Sequence, residues 1–293
     1  MSVPTFEVLD GHDALEALSS LCQRIRCADP QRRAWEAADI QWWWRRSRRT
    51  DELGQLTCRD DTGTVSAAIV LTDFGEQCQL DVLTVPGCPG RELEAVWGIA
   101  ADRARSWAGS TLEAIVDVHD EPFDDALRSE GFTDGEDAYV DAWLDAADRP
   151  PGPPLPGGFH LFSQAARPTS PHHLVARNEE RVASRLAQCS LYDPELDLYV
   201  IGPDDAPCAY GLFWADPVTK VGLVEPMRTE APHEHRGIAS HVLAVGVDLL
   251  AQRGCDRLKV SSGGGLYVRA GFTPGPSART LVRSAPRGAA SIP

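Results

Sequence analysis

Three groups of residues in the last third of the chain have types and spacing suited to chemistry. The first is His233-Glu234-His235-Arg236-Gly237-Ile238-Ala239-Ser240. Two imidazoles flanking a carboxylate begin a metal site, although a tetrahedral site takes three or four ligands and the sequence offers no obvious further partner. The same stretch runs straight into an apolar pattern at helical spacing. Backbone N–H groups at a helix start have no intrahelical partner. With the positive end of the helix dipole they suit a phosphate or pyrophosphate. Gly237 would let that ligand approach the backbone, Ala239 keeps the next turn small, and Arg236 adds positive charge. A solvated helix cap is the third reading of these residues.

The second group is Val221-Gly222-Leu223-Val224-Glu225-Pro226-Met227-Arg228-Thr229. In a strand its odd positions share one face, so Glu225 is a carboxylate among apolar neighbours. Pro226 cannot donate to a ladder, so pairing breaks there and backbone groups become available to an extended, amide-bearing ligand arm. A desolvated Glu with a raised pKa acts as a general base; a Glu exposed at the strand edge is the alternative. The third is Tyr267 in Leu266-Tyr267-Val268-Arg269-Ala270-Gly271-Phe272. A phenol there would protonate a leaving thiolate, or it is an ordinary half-buried core tyrosine.

These residues need elements to hold them. Ser170-Pro171 opens a polar helix to about Cys189. Strand patterns follow at 197–202, 208–217 and 221–229. Ile238, Val242, Val245 and Leu249 then stripe a helix that Gly254 ends. A strand (256–261), a short helix (266–272) and a last strand (279–283) complete the order. The first half repeats it: a helix from Asp13 to Ile25, strands in QLTCRD, TVSAAIVLTD and CQLDVLTV, and a helical stripe of Leu93, Val96, Trp97, Ala100, Ala104 and Trp107 stopped by Gly109. A strand (112–118), a helix (124–132) and a strand (138–144) close it. Between the halves, Ala147–Gly158 holds five prolines and three glycines in twelve residues, which neither a helix nor an inner strand accepts. The pattern predicts an α+β fold of two tandem units, each a mixed, mostly antiparallel sheet with flanking helices. The expected divisions are 1–147, a linker at 148–158, and 159–293.

Bulk composition is consistent with this. The 293 residues are enough for two cores. The 28 basic residues against 43 acidic ones give a net charge of −15, which disfavours nucleic acid and anionic membrane as partners and tolerates cationic substrates such as amines. WWWRRSRR (42–49) mixes aromatics and arginines as a nucleic-acid surface does. The net charge weighs against that use, and the stretch reads as a core-facing strand or helix end, packed where the halves meet. No apolar stretch approaches the ~20 residues that span a bilayer, and the N-terminus lacks a signal-peptide pattern. The eight cysteines form no CxxC pair, which fits reduced thiols in a cytoplasmic protein rather than a zinc site. Lys220 and Lys259 are the only lysines, a compositional habit without mechanism.

Taken together, residues 197–283 resemble the GNAT acyltransferase superfamily, which moves acetyl groups from acetyl-CoA to amines. The family loop R/Q-x-x-G-x-G/A is filled by Glu234-His235-Arg236-Gly237-Ile238-Ala239, with Glu234 in place of Arg or Gln. The resemblance implies acetyl-CoA as co-substrate, no metal, and a small-molecule or peptide amine as acceptor. Backbone N–H groups of His235, Arg236, Gly237, Ile238, Ala239 and Ser240 would hold the pyrophosphate. Met227, Arg228 and Thr229 would pair with the pantetheine arm. Tyr267 would be the general acid, and Glu225 would take the amine proton, often through water. His172-His173 would begin the helix that borders the acceptor cleft, or be two exposed cap residues. Only SSGGG (261–265) stands where the family often has an Asn-containing turn. The first half resembles a degenerate second copy, with VPGCPGREL (85–93) in the loop position, Leu127 in place of Tyr267, and Asp81 mirroring Glu225. It is expected not to catalyse. A CoA-binding or ligand-binding protein without turnover is the alternative function.

Overall fold

Segments rich in β-branched residues alternate with amphipathic helices along the chain, and the elements form where those patterns lie. The computed structural model describes residues 6–88, 90–107, 111–117, 120–135 and 140–284. In chain order they form β1 (Phe6–Leu9), α1 (Gly11–Ala28), α2 (Ala37–Trp44), β2 (Gln55–Arg59), β3 (Val65–Asp73), β4 (Gln77–Thr84), α3 (Gly90–Ser106), β5 (Thr111–Asp117), α4 (Glu121–Ser129) and β6 (Thr133–Asp134). There follow β7 (Val140–Asp145), β8 (His160–Ser163), α5 (Val182–Leu186), β9 (Asp197–Ile201), β10 (Pro207–Ala215), β11 (Val221–Thr229), α6 (Ile238–Gln252), β12 (Arg257–Val260), α7 (Gly265–Arg269) and β13 (Thr273–Arg283). No helix among the described residues is long and apolar enough to cross a membrane.

The chain divides into two compact units. In the first, β1 to β5 follow one another across the sheet and β13 adds beside β5, with β6 also pairing β13. Every pairing is antiparallel except β4 with β5, the two strands that flank α3 in the chain. Ile69, Leu80, Leu112, Leu127 and Leu281 centre its core. In the second unit the order is β7-β12-β11-β10-β9-β8, antiparallel except β11 with β12, which flank α6. Here Phe213, Val224, Val242, Val247, Leu258 and Phe272 make the core. The α+β class and the repeated order of elements are as expected.

The units do not follow the sequence halves. β7, which closes the first half, pairs with β12 at Asp145↔Arg257 to Ala142↔Val260. β13, which closes the second half, pairs with β5 of the first unit at Ala278↔Asp117 to Arg283↔Leu112. Each repeat thus completes the other's sheet. Side-chain alternation sets which face of a strand is buried but not which of two similar sheet edges it joins. Residues Ala38–Arg46 also belong to the second unit, as a buried helix. Two smaller differences concern segments 147–158 and 170–189. The Pro-rich stretch lies along α6, with Arg149 Nε 2.8 Å from Asp248 Oδ1 and His241 Nδ1 2.6 Å from the Pro153 carbonyl. The polar helix expected over 170–189 is a 3₁₀ turn at His173–Arg177 and the short α5. Of the expected stripe on α3, Gly109 lies outside the described residues.

Candidate active site

β11 carries the geometry that matters. Its parallel pairing with β12 covers only Val221↔Arg257, Gly222↔Leu258 and Leu223↔Lys259. From Val224 onward the strands part, leaving that side of β11 open. On the other side the register with β10 shifts between Gly211↔Met227 and Phe213↔Val224, so the dipeptide Glu225-Pro226 sits in a bulge. Pro226 has no N–H, and the Glu225 carbonyl accepts instead from Trp214 Nε1 at 2.8 Å. The break in pairing read from Pro226 is present, and it aims Glu225 two residues past the end of the β12 ladder.

A cleft of about 450 Å³ opens at this splay. Its strand wall is Met227, Arg228 and Thr229; its floor is the loop and first turn of α6, with His235, Gly237, Ile238, Ala239 and Ser240; its third side is Leu266, Tyr267 and Arg269. Gly237 is the N-cap of α6 at φ +80°, and His235 lies at φ +59°. Left-handed backbone at a non-glycine residue stores strain and is found at functional loops. Here it leads the loop into the first turn of α6, whose N–H groups have no intrahelical partner and whose residues line the cleft. No atom lies within 4 Å of where a Gly237 Cβ would be, so the backbone there is open to a ligand. These residues fit an extended ligand with an anionic end. Of the expected binding set only Arg236 is outside the lining; it is exposed. Glu234, the departure from the family loop, lines the cleft. His233 packs edge-on against Phe159, at 5.7 Å between centroids.

Glu225 and Tyr267 come together, although one is on a strand and the other on a helix. Burial, and then the negative charge of Asp39, push Glu225 up to about 7; Arg45 and Lys259 act against this. Burial, and then the charge of Glu225, push Tyr267 up to about 12. Near neutral pH the first group therefore exchanges its proton and the second keeps one. Tyr267 is half-buried, its ring edge-on to Phe272 at 5.9 Å.

Four groups that act on Glu225 escaped the sequence reading: Asp39, Arg45, Asp141 and Lys259. Lys259 is fully buried, with its ammonium 3.6 Å from Asp39 and 3.4 Å from Asp141. It also lies 5.8 Å from the centre of the Trp143 ring, and Ser261 Oγ donates to Asp141 at 3.2 Å. A lysine inside an apolar strand, in a chain with two lysines, was the available signal for this cluster. Nothing in the local pattern marks Asp39 or Arg45, which arrive on α2.

His172 and His173 are not exposed caps. Their side chains are 5% and 1% exposed, and their Nε2 atoms lie 3.2 and 3.1 Å from the buried Asp197 carboxylate. Among the described residues these three, not His233, Glu234 and His235, converge as a metal set would. Two details favour a hydrogen-bonded anchor instead. His172 Nδ1 accepts from the Leu174 N–H, so in the neutral ring Nε2 carries the proton, and Tyr192 O–H already donates to Asp197 at 2.8 Å.

The first unit repeats the splay without the rest. β4 and β5 pair only at Gln77↔Thr111 to Gln79↔Glu113, so Asp81 stands two residues past the ladder, as Glu225 does. There the likeness stops. The β3–β4 ladder runs from Ala67↔Thr84 to Asp73↔Cys78 without a shift. Asp81 is buried and accepts from Trp35 Nε1 at 2.7 Å and Gln79 Nε2 at 2.8 Å. Leu127, in the place of the phenol, is a core residue.

No protein-family model and no curated protein matches the sequence. Solved structures do match the fold. A tandem GNAT protein from the clavulanic acid biosynthesis pathway, solved without AcCoA, aligns with a TM-score of 0.67 at 16% identity, covering 97% of this chain and 99% of that one. A GCN5-related N-acetyltransferase from Sphaerobacter thermophilus aligns at 0.61 and 16%, covering 97% and 96%. A GCN5-related glucosamine N-acetyltransferase region of a fungal multi-domain β-N-acetylglucosaminidase aligns at 0.56 and 17%, covering 97% of this chain and 38% of that one. The fold is that of GNAT proteins, tandem members included.

Proposed function

We propose that the protein is an acetyl-CoA-dependent N-acetyltransferase with its working site in the second unit, and that the first unit does not catalyse. The observation that carries this is the cleft that brings an open strand edge, a left-handed loop at a helix start and the Tyr267 phenol to one place, with the Glu225 carboxylate two residues before Met227 on the same strand and close enough for its charge to act on that phenol. The amides of His235 to Ser240 would hold the pyrophosphate, and the open edge of Met227 to Thr229 would pair with the pantetheine amides. Glu225 takes a proton from the acceptor ammonium, directly or through water. The neutral amine attacks the thioester carbonyl, the C–N bond forms and the C–S bond breaks; Tyr267 gives its proton to the departing thiolate, and the proton that the amide nitrogen sheds goes to solvent, which restores the phenol. Holding both partners at the splay removes much of the entropic barrier.

The test is thiol release from acetyl-CoA over an amine panel, with acetyl-CoA binding measured by calorimetry. Absence of binding would sink the proposal. Binding without release on any amine would favour a CoA-binding protein without turnover. Tyr267→Phe removes one hydroxyl from a half-buried ring and is expected to lower kcat by about tenfold to a hundredfold, with acetyl-CoA affinity nearly unchanged. Equal turnover would take Tyr267 out of the mechanism.

A further inference from the structure

The chain carries a net charge of −15, yet a guanidinium, that of Arg45, acts on Glu225 from the end of α2. Arg45, at the end of α2, is half-buried. Its Nε donates to Asn178 Oδ1 at 2.9 Å, its Nη1 donates to the Trp42 carbonyl at 2.8 Å, and its guanidinium lies 3.8 Å over the Trp42 ring. Trp42 meets Trp214 edge-on at 6.5 Å, and Trp214 holds the Glu225 carbonyl. Contacts therefore run unbroken from Arg45 to the proposed base. Tyr210 lies opposite Arg228 in the β10–β11 ladder. Arg228 and Arg177 share a single carboxylate, Glu230, at 3.4 and 2.7 Å. Arg45, Arg177 and Arg228 all act on the Tyr210 hydroxyl, with Glu230 the one acid among them.

Arg45 is the telling member. Its two hydrogen-bond acceptors are neutral and Glu225 acts on it only through its charge, so the half-buried guanidinium has no direct carboxylate partner among the described residues, which costs free energy. Nη2 has no protein acceptor among the described residues. A planar cation locked by an aromatic ring and two hydrogen bonds, with one donor edge left over, is preorganised for a carboxylate. We propose that Arg45 binds a carboxylate of the acceptor, so that the acceptor is an amino acid or a closely related amino-carboxylate. Its amine would then sit at Glu225 and its acid group at Arg45, within the field of Arg177 and Arg228. The overall acidity of the chain had pointed to cationic amines; Arg45, with Arg177 and Arg228, points the other way. The inference rests on the acyl-transfer reading of Glu225.

The experiment compares the wild type with Arg45→Met on matched acceptors: amino acids, their carboxamides, and the corresponding amines without the carboxyl group. Thiol release from acetyl-CoA and calorimetric binding of the acceptor are both read. The wild type is expected to prefer the free amino acid by about tenfold or more in kcat/KM, the scale of a hydrogen bond to a charged partner. Arg45→Met should bring that preference to near parity, mostly through KM. Arg45→Lys, which keeps the charge but not the planar fork, should retain part of it and serves if Arg45→Met does not fold. Equal or better use of the decarboxylated amines by the wild type overturns the inference, as does an equal loss on all three acceptor types in Arg45→Met. Turnover without preference leaves acyl transfer standing and removes the carboxylate subsite. Binding of amino acids that depends on Arg45, without turnover of any amine, keeps the subsite and removes acyl transfer.

Discussion

Glu225→Gln is expected to lower kcat/KM for acyl transfer by about a hundredfold to ten-thousandfold at mildly alkaline pH, the range that a positioned general base contributes. The pH profile separates this from a packing defect. With Glu225 pushed up to about 7 by burial and by Asp39, only its ionised form accepts a proton, so the wild-type rate should climb through about pH 7 and then level off. The Glu225→Gln variant should lack that limb. Stability moves in the opposite direction. Because the folded-state pKa is raised from 4.5, the fold favours the protonated carboxyl. That contribution is fully present below about 4.5 and is lost as pH rises through about 7. Glu225→Gln escapes the loss, so above about pH 7 its thermal midpoint should exceed that of the wild type. A variant both slower and less stable at alkaline pH would mean that Glu225 is structural.

The parts of the site that depend on backbone were legible in the sequence. Pro226 signals broken pairing wherever it falls in a strand, and the bulge is there. Gly237 before an apolar helical pattern signals a helix start with open amides, and it is the N-cap of α6. Side-chain environments were another matter. In Arg257-Leu258-Lys259-Val260 strand alternation sets Leu258 and Val260, which are core residues, on one face and Lys259 on the other. That second face reads as solvent only because nothing nearby in the sequence covers it. It is covered by α2, whose Asp39 and Trp42 are buried in the same unit. His172 and His173 are buried for the same reason: their partner, Asp197, opens a strand that has no local link to them. Periodicity reports which residues share a face, and it is silent on which distant element closes over that face. The exchange of β7 and β13 is the same limit at the scale of strands.

Lys259→Met should destabilise the second unit by about 3–5 kcal/mol, as removal of one partner from a buried ionic set does, because the Asp39 and Asp141 carboxylates then face each other without the ammonium. Methionine fills most of the same volume, so a cavity contributes little to the loss. The substitution should also reach the chemistry without touching a substrate. Lys259 lowers the Glu225 pKa, while burial, Asp39 and Asp141 raise it. Losing the cation alone moves the rising limb of the rate profile to higher pH, so activity at neutral pH falls while the alkaline plateau survives. Combining Lys259→Met with Asp39→Asn and Asp141→Asn removes all three charges. That variant should recover much of the lost stability, since replacing a whole buried ionic set is far less costly than breaking it. Its rate profile should then return toward lower pH, because only burial and Arg45 remain to act strongly on Glu225. Denaturant melts and pH–rate profiles of the two variants decide the matter. An unshifted limb in Lys259→Met would confine Lys259 to packing. A shift that the triple variant reverses would assign the Asp39–Lys259–Asp141 set to tuning the base, and would give a physical reason why this chain keeps a lysine where an apolar residue would pack as well.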